Sequence, residues 1–224
     1  MAWLVDALQV GPGRTVVDVG AGTGKFSALL VPTGATVIAV EPLESMRTAL
    51  AAEVPGLKVA DGTAEALPMA DGSADAITAA QALHWFDLDR ALPEFHRVLR
   101  PDGRIGVIWN EFDTSVDWVD AFNRIVAVPR AGTPHPSAAG GAELAPLFGT
   151  PHRRRFAHAQ VHDRESLLDR VNSMSFVAVQ SEPKRRQVLE DVARLIDTHP
   201  QLAGRQRFEL RYLTKGFWTE RKPL

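Results

Sequence analysis

The stretch Val16-Val17-Asp18-Val19-Gly20-Ala21-Gly22-Thr23-Gly24-Lys25-Phe26 limits what this chain can fold into more than any other. An apolar run carries a carboxylate near its end, three alternating glycines follow, and a helical pattern opens at Lys25. That is a buried strand stopping at a tight turn and handing over to a helix. In an open parallel sheet, such a turn is where a nucleoside-containing ligand binds. Glycine suits the turn because a side chain would hold a ligand off the backbone, and because such turns demand positive φ.

The spacing narrows the ligand. A dinucleotide fingerprint, G-x-G-x-x-G, would need glycine where Lys25 stands. A phosphate-cradling G-x-x-x-x-G-K-[ST] loop, read back from Gly24-Lys25, meets Val19 in place of its first glycine and Phe26 in place of Ser/Thr. Both fail. What remains is D-x-G-x-G-x-G, and a carboxylate at the turn suits an ammonium-bearing ligand better than a pyrophosphate, which it would repel.

At 224 residues the chain can build one α/β domain with a large core. Its formal net charge of −2 gives no general attraction to nucleic acid or to an anionic membrane. Cysteine is absent, which excludes disulfides, zinc–thiolate sites, iron–sulfur clusters and cysteine nucleophiles. No apolar run approaches the ~20 residues of a membrane span, and Met1 to Asp6 does not open a signal peptide. The expectation is a cytoplasmic protein.

Along the chain, a short helix over Met1 to Val10 is broken at Gly11-Pro12-Gly13. Strands are expected at Thr15–Asp18, Thr36–Val40, Leu57–Ala60, Ala74–Ala80 and Arg104–Trp109. Helices are expected over Lys25–Val31, Ser45–Glu53 and Leu88–Leu99, with a turn at Arg100-Pro101-Asp102-Gly103. Strands alternating with helices imply right-handed crossovers and a parallel sheet covered on both faces. Beyond Trp109 the pattern changes. A helix over Ser115–Val128 leads to a Pro/Gly/Ala/Ser-rich stretch, Pro129–Gly141, that reads as a mobile loop or lid. A strand at Arg153–Val161, helices at Arg164–Met174 and Glu182–Thr198, and a long alternating strand at Arg207–Trp218 complete the chain. The whole is expected to be one domain, 1–224, with a substrate-side insertion or lid at about 110–152.

Several stretches in order carry a resemblance. Gly62-Thr63-Ala64-Glu65-Ala66-Leu67-Pro68 matches a G-D-A-E-x-L-P segment, and Asp71-Gly72-Ser73-Ala74-Asp75-Ala76-Ile77 a D-G-S-x-D-x-I segment. Arg97-Val98-Leu99-Arg100-Pro101-Asp102-Gly103 matches R-V-L-[KR]-P-G-G. Together with the glycine turn, they make Val16 to Trp109 resemble the class I S-adenosylmethionine (SAM) methyltransferases of the small-molecule type. Gln81-Ala82-Leu83-His84-Trp85-Phe86-Asp87 is similar to the H-W-F segment of a subgroup that includes trans-aconitate-type enzymes. The resemblance implies a Rossmann-like, doubly wound, mostly parallel seven-stranded sheet with the last strand antiparallel and helices on both faces.

It also implies a site. Glu41, ending the second strand before Pro42, would accept hydrogen bonds from both ribose hydroxyls. Asp18 would meet the methionine part of the ligand or hold the turn through backbone N–H groups. Gly20, Ala21, Gly22 and Gly24 bring backbone to the ligand, with Met46 alongside. Thr63, where the family usually has Asp, offers a hydroxyl to the adenine amino group, and Ala64 a backbone N–H to the ring. Gln81 lies beside the methionine end. His84 reads as a general base, a substrate-orienting donor or a structural histidine. Trp85 would pack on the sulfonium or fill core, and Trp109 joins it on the substrate side. No metal is expected: His158 and His162, four apart in a strand-like stretch, lack a third ligand. The basic run His152-Arg153-Arg154-Arg155 reads first as a solvated edge.

The function implied is methyl transfer from SAM to a small molecule, most simply on oxygen, leaving S-adenosylhomocysteine. The alternatives are a SAM- or S-adenosylhomocysteine-binding protein without efficient catalysis, favoured by Thr63 and the short stretch before Thr15, and a nucleic-acid methyltransferase. The latter lacks an N/D-P-P-[YF] segment after the fourth strand and a basic overall charge. An oxidoreductase is disfavoured by the glycine spacing.

Overall fold

The computed structural model describes residues 1–126, 144, 146–174, 177 and 180–223. Seven strands, β1 (Thr15–Val19), β2 (Thr36–Val40), β3 (Lys58–Ala60), β4 (Ala74–Ala80), β5 (Leu99–Phe112), β6 (His152–His162) and β7 (Phe208–Glu220), form one sheet in the order β3-β2-β1-β4-β5-β7-β6. The described helices longer than one turn of 3₁₀ are α1 (Ala2–Ala7), α2 (Ser27–Leu30), α3 (Glu44–Glu53), α4 (Leu88–Val98), α5 (Asp117–Val126), α6 (Arg164–Asn172) and α7 (Glu182–Thr198).

A strand covered on both faces needs apolar residues at successive positions. β1 meets that need. Val16 packs with Leu4 of α1, Leu8 just beyond it, Leu30 of α2, Val37 and Ala76. Val17 and Val19, on the opposite face, join Ile77, Ala79, Ile105 and Val107 beneath Ala91, Leu92, Phe95 and Val98 of α4. Helices therefore lie on both faces, as expected. β1 pairs in parallel with β2 and β4, β2 with β3, and β4 with β5. β7 runs the other way: Thr214 hydrogen-bonds Asn110 at 2.6 Å while the Asp113 N–H donates to Arg211 O at 3.0 Å, so numbering falls on β7 as it rises on β5.

Of the boundaries that differ from the sequence reading, three have a local cause. α1 stops at Ala7 because Gln9 adopts φ +54°. α2 is confined to Ser27–Leu30; Pro32 lacks an N–H, and the chain tightens into a 3₁₀ turn, Val31–Thr33, capped by Gly34. The expected turn Arg100–Gly103 lies within β5 as an irregularity. Ala74 and Ala76 of β4, two residues apart, pair with Leu99 and Arg104, five apart. The extra residues fold back so closely that a Cβ on Gly103 would stand 2.9 Å from Arg100 O.

The chain divides into two compact units, one of Met1–Trp109, Pro134–Arg154 and Lys215–Leu224, the other of Asn110–Thr133 and Arg155–Thr214. The first contains the parallel strands and the two cores just described. The second has its own core, in which Trp118 and Phe122 of α5, Leu167 and Val171 of α6, and Val192 and Ile196 of α7 pack with Phe208, Leu210 and Tyr212 on the inward face of β7. The lid expectation at 110–152 falls for its middle, 127–143 and 145, outside the described residues, and the Pro129–Gly141 loop lies wholly there. Among the described residues no helix is long and apolar enough to cross a membrane.

Candidate active site

The chain reverses direction across the sheet between β1, which leads outward to β2 and β3, and β4 on its other side. The crevice at the carboxyl ends of strands at such a point is where open α/β sheets take ligands. The glycine turn stands there. All three glycines are left-handed, with φ +67° at Gly20, +57° at Gly22 and +84° at Gly24. Their surroundings differ. A Cβ on Gly20 would lie 2.7 Å from Ala82 Cβ and 3.2 Å from the Phe86 ring, and one on Gly24 would lie 2.8 Å from Leu50 Cγ. Those two glycines are closed in by the protein's own packing. A Cβ on Gly22 would meet nothing nearer than Met46 Sδ at 3.8 Å, so the middle of the turn presents backbone to open space. The turn is held from β2, where Val40 O accepts from Gly20 N–H at 2.9 Å and Ala21 N–H at 3.2 Å.

Glu41, only 6% exposed, clasps the same turn. Its Oε2 accepts the Gly22 N–H at 2.9 Å and its Oε1 the Leu43 N–H at 3.1 Å. A carboxylate offers roughly four acceptor positions, so these two amides leave about two for a ligand diol. Pro42 stops β2 from running on, and Arg47 fixes the loop that results. Its Nη1 donates to Glu41 O, Pro42 O and Asp61 Oδ1 at 2.9, 2.7 and 2.9 Å.

Asp18 faces away from the turn's amides. It is 1% exposed, and its oxygens accept from the Ser27 hydroxyl at 2.6 Å and the Thr78 hydroxyl at 2.9 Å. It thereby ties β1 to the start of α2 and to β4. Burial pushes its carboxyl up to about 6, against which the two hydroxyl hydrogen bonds pull down. The carboxylate's partners are hydroxyls, not the backbone N–H groups of the turn.

The loop after β3 carries Thr63, exposed, and Ala64, whose side chain is buried. Gly62 lets this loop lie against β2, since a Cβ there would stand 3.1 Å from Val40 Cγ1. Two glutamates pin it: Glu94 of α4 accepts the Leu67 N–H at 2.7 Å, and Glu65 accepts the Asp87 N–H at 2.9 Å, linking it to the loop after β4. Burial pushes the Glu65 carboxyl up, but the Asp87 N–H, its own N–H, the Thr63 hydroxyl and the nearby Arg90 together hold it below its usual range.

Gln81 leaves β4 at φ +57°, a conformation that costs a residue with a Cβ on the order of 1–2 kcal/mol. Its N–H holds the bend by donating to Ile108 O at 2.9 Å. The bend turns Ala82 and Phe86 onto Gly20 and leaves the 3₁₀ turn Leu83–Trp85 between them. His84, half-buried, stands with its ring centroid 5.0 Å from that of Trp85, which is 76% exposed. Trp109 lies at the other extreme. At 1% exposure it is a core ring packed 5.8 Å from Phe217, whereas Trp85 presents its ring outward.

Sequence reading missed Arg47, Ser27, Thr78 and Phe86. Ser27 and Thr78 carry no motif, and their importance comes from meeting Asp18 across 9 and 60 residues. Phe86 stood in the H-W-F segment, but nothing in the sequence directed it onto Gly20.

A methyltransferase domain model matches residues 17–107, which spans the glycine turn, Glu41 and the β4 loop. The chain is 38% identical over 210 residues to an uncharacterized methyltransferase of Mycobacterium tuberculosis H37Rv, covering 94% of this chain and 84% of that one. Among solved structures, the YcgJ protein of Bacillus subtilis superposes with a TM-score of 0.62 at 20% identity, over 100% of this chain and 98% of that one. Phosphoethanolamine N-methyltransferase 2 of Haemonchus contortus, solved with phosphomonomethylethanolamine and S-adenosylhomocysteine, superposes with a TM-score of 0.58 at 14% identity, over 99% of this chain and 52% of its own. At those identities the two structures speak for the fold, and the mycobacterial relative for the family. The chain belongs to the class I SAM-dependent methyltransferases.

Proposed function

We propose that this methyltransferase binds SAM across the glycine turn and passes its methyl group to an oxygen of a small molecule by direct in-line displacement. The observation that carries the binding half is Glu41, nearly buried, bonded to Gly22 N–H and still able to accept from a ribose diol. Gly22, whose missing side chain leaves open space, fits a ligand lying against bare backbone. Ala21, Met46, Thr63, Ala64 and Gln81 complete the surroundings of the cofactor in this reading.

The sulfonium cofactor supplies an electrophilic methyl when bound, so the protein's work is alignment and exclusion of water. His84 is the group we assign to the methyl acceptor. Its imidazole can take the proton of a hydroxyl substrate, or donate to an oxygen that arrives ionised. Trp85 offers the apolar surface against which a small organic molecule is held. A small acceptor suits a chain of net charge −2, which has no pull on nucleic acid, and the cytoplasm is the location we infer.

The test is transfer of labelled methyl from SAM to a panel of carboxylic acids, phenols, amines and RNA. Label recovered as an ester or aryl ether supports the proposal. Label recovered only on nitrogen or on RNA refutes it.

A further inference from the structure

A groove of about 430 Å³ opens in the second unit, lined by Val116, Trp118 and Gln201 and by the stretch that leads into β7. From that stretch come Arg205, Arg207, Phe208, Glu209 and Arg211. None of them belongs to the SAM site. Side chains alternate along a strand, and here the alternation sorts them cleanly. Phe208, Leu210 and Tyr212 point into the core, whereas Arg207, Glu209 and Arg211 take the other face.

The charge in the groove is unbalanced. Among the described residues Arg205 forms no ion pair, Arg207 lies near enough to Asp163 to help lower that carboxyl without closing a salt bridge, and Arg211 reaches Glu209 only at 3.9 Å, with both side chains more than half exposed. Three guanidinium groups face one carboxylate in a chain whose net charge is −2. The carboxamide oxygen of Gln201 is taken by the Trp118 N–H at 3.4 Å, which leaves its NH₂ as a further donor.

We propose that this groove binds a small molecule carrying more than one phosphoryl group. Guanidinium forks match phosphoryl oxygens two by two, and the volume lies in the range of small-ligand clefts. Arg207 stands at the entry to β7 and Arg211 on it, four residues on, which in extended chain is roughly 13 Å. One anionic group would not satisfy both. Nucleic acid is the poorer fit: Trp118 and Phe208 are buried, so no aromatic platform is free to stack a base.

The experiment is calorimetric titration with pyrophosphate, with sodium chloride at matched ionic strength as the blank. Saturable one-site binding is expected, weakened at least tenfold in the Arg205→Gln/Arg207→Gln variant, while the SAM titration is the same in both proteins. Absence of saturable heat, or equal affinity in the variant, would overturn the proposal. Because the two sites share no residue, this result and that for SAM binding are read independently.

Discussion

The Glu41 carboxylate accepts the Gly22 N–H at 2.9 Å and so locks the end of β2 to the turn after β1. The same group is the one we assign to the ribose, which makes loop order and ligand affinity inseparable at this residue. Charge-assisted hydrogen bonds contribute about 1.5–3 kcal/mol each. In Glu41→Ala we expect SAM to bind at least about tenfold more weakly by calorimetry. Glu41→Gln, which keeps one carbonyl oxygen, should fall between.

The glycines separate stability from binding. Gly24→Ala must adopt φ +84° and thrust a methyl to 2.8 Å from Leu50. We expect it to lose about 2 kcal/mol or more in urea unfolding. Gly22→Ala meets only Met46 at 3.8 Å, so it should lose about 1–2 kcal/mol from strain alone. Its larger effect should be on SAM affinity, measured on the folded protein.

Asp18 should leave a signature in the pH dependence of stability. Its carboxyl holds a proton more tightly folded, at about 6, than unfolded, near 3.8. The stability this gives is full below about pH 4 and lost as pH rises through 6. Asp18→Asn carries no such titration. The unfolding free energy of the variant minus that of the parent should therefore climb by up to about 3 kcal/mol between pH 4 and 7 and then level off. A flat difference would mean that Asp18 ionises in the native protein as it does unfolded.

The two tryptophans should behave as opposites. Trp109→Ala empties a fully buried site and should cost about 3–5 kcal/mol. Trp85→Ala removes an exposed ring and should shift thermal unfolding little, while raising KM for the methyl acceptor.

For His84, replacement by Ala should reduce kcat more than tenfold without changing SAM affinity. If the imidazole acts as a base, the rising limb of the pH–rate profile should vanish in the variant.

The legible parts of this chain were those set by local pattern. β2 falls where its apolar run placed it and β4 where its small-residue run did, and the Glu41-Pro42 and glycine signals met at one end of the sheet because crossover topology leaves them nowhere else. What could not be read was decided by distant partners. Trp109 follows the β5 pattern whether its ring faces a ligand or Phe217, and only packing chooses. Arg47 looks like any surface arginine of an amphipathic helix until the loops after β2 and β3 converge on it. Arg100–Gly103 has turn chemistry and does turn, but inside a strand whose pairing with β4 resumes at Arg104.

The most direct measurement is titration of the parent chain with S-adenosylhomocysteine, followed by heat and by thermal unfolding, with NAD as comparison. If the turn and Glu41 cradle an adenosyl amino acid, one molecule binds per chain, the unfolding midpoint rises by several degrees, SAM competes, and NAD gives neither heat nor shift. No heat and no shift with S-adenosylhomocysteine would contradict that claim.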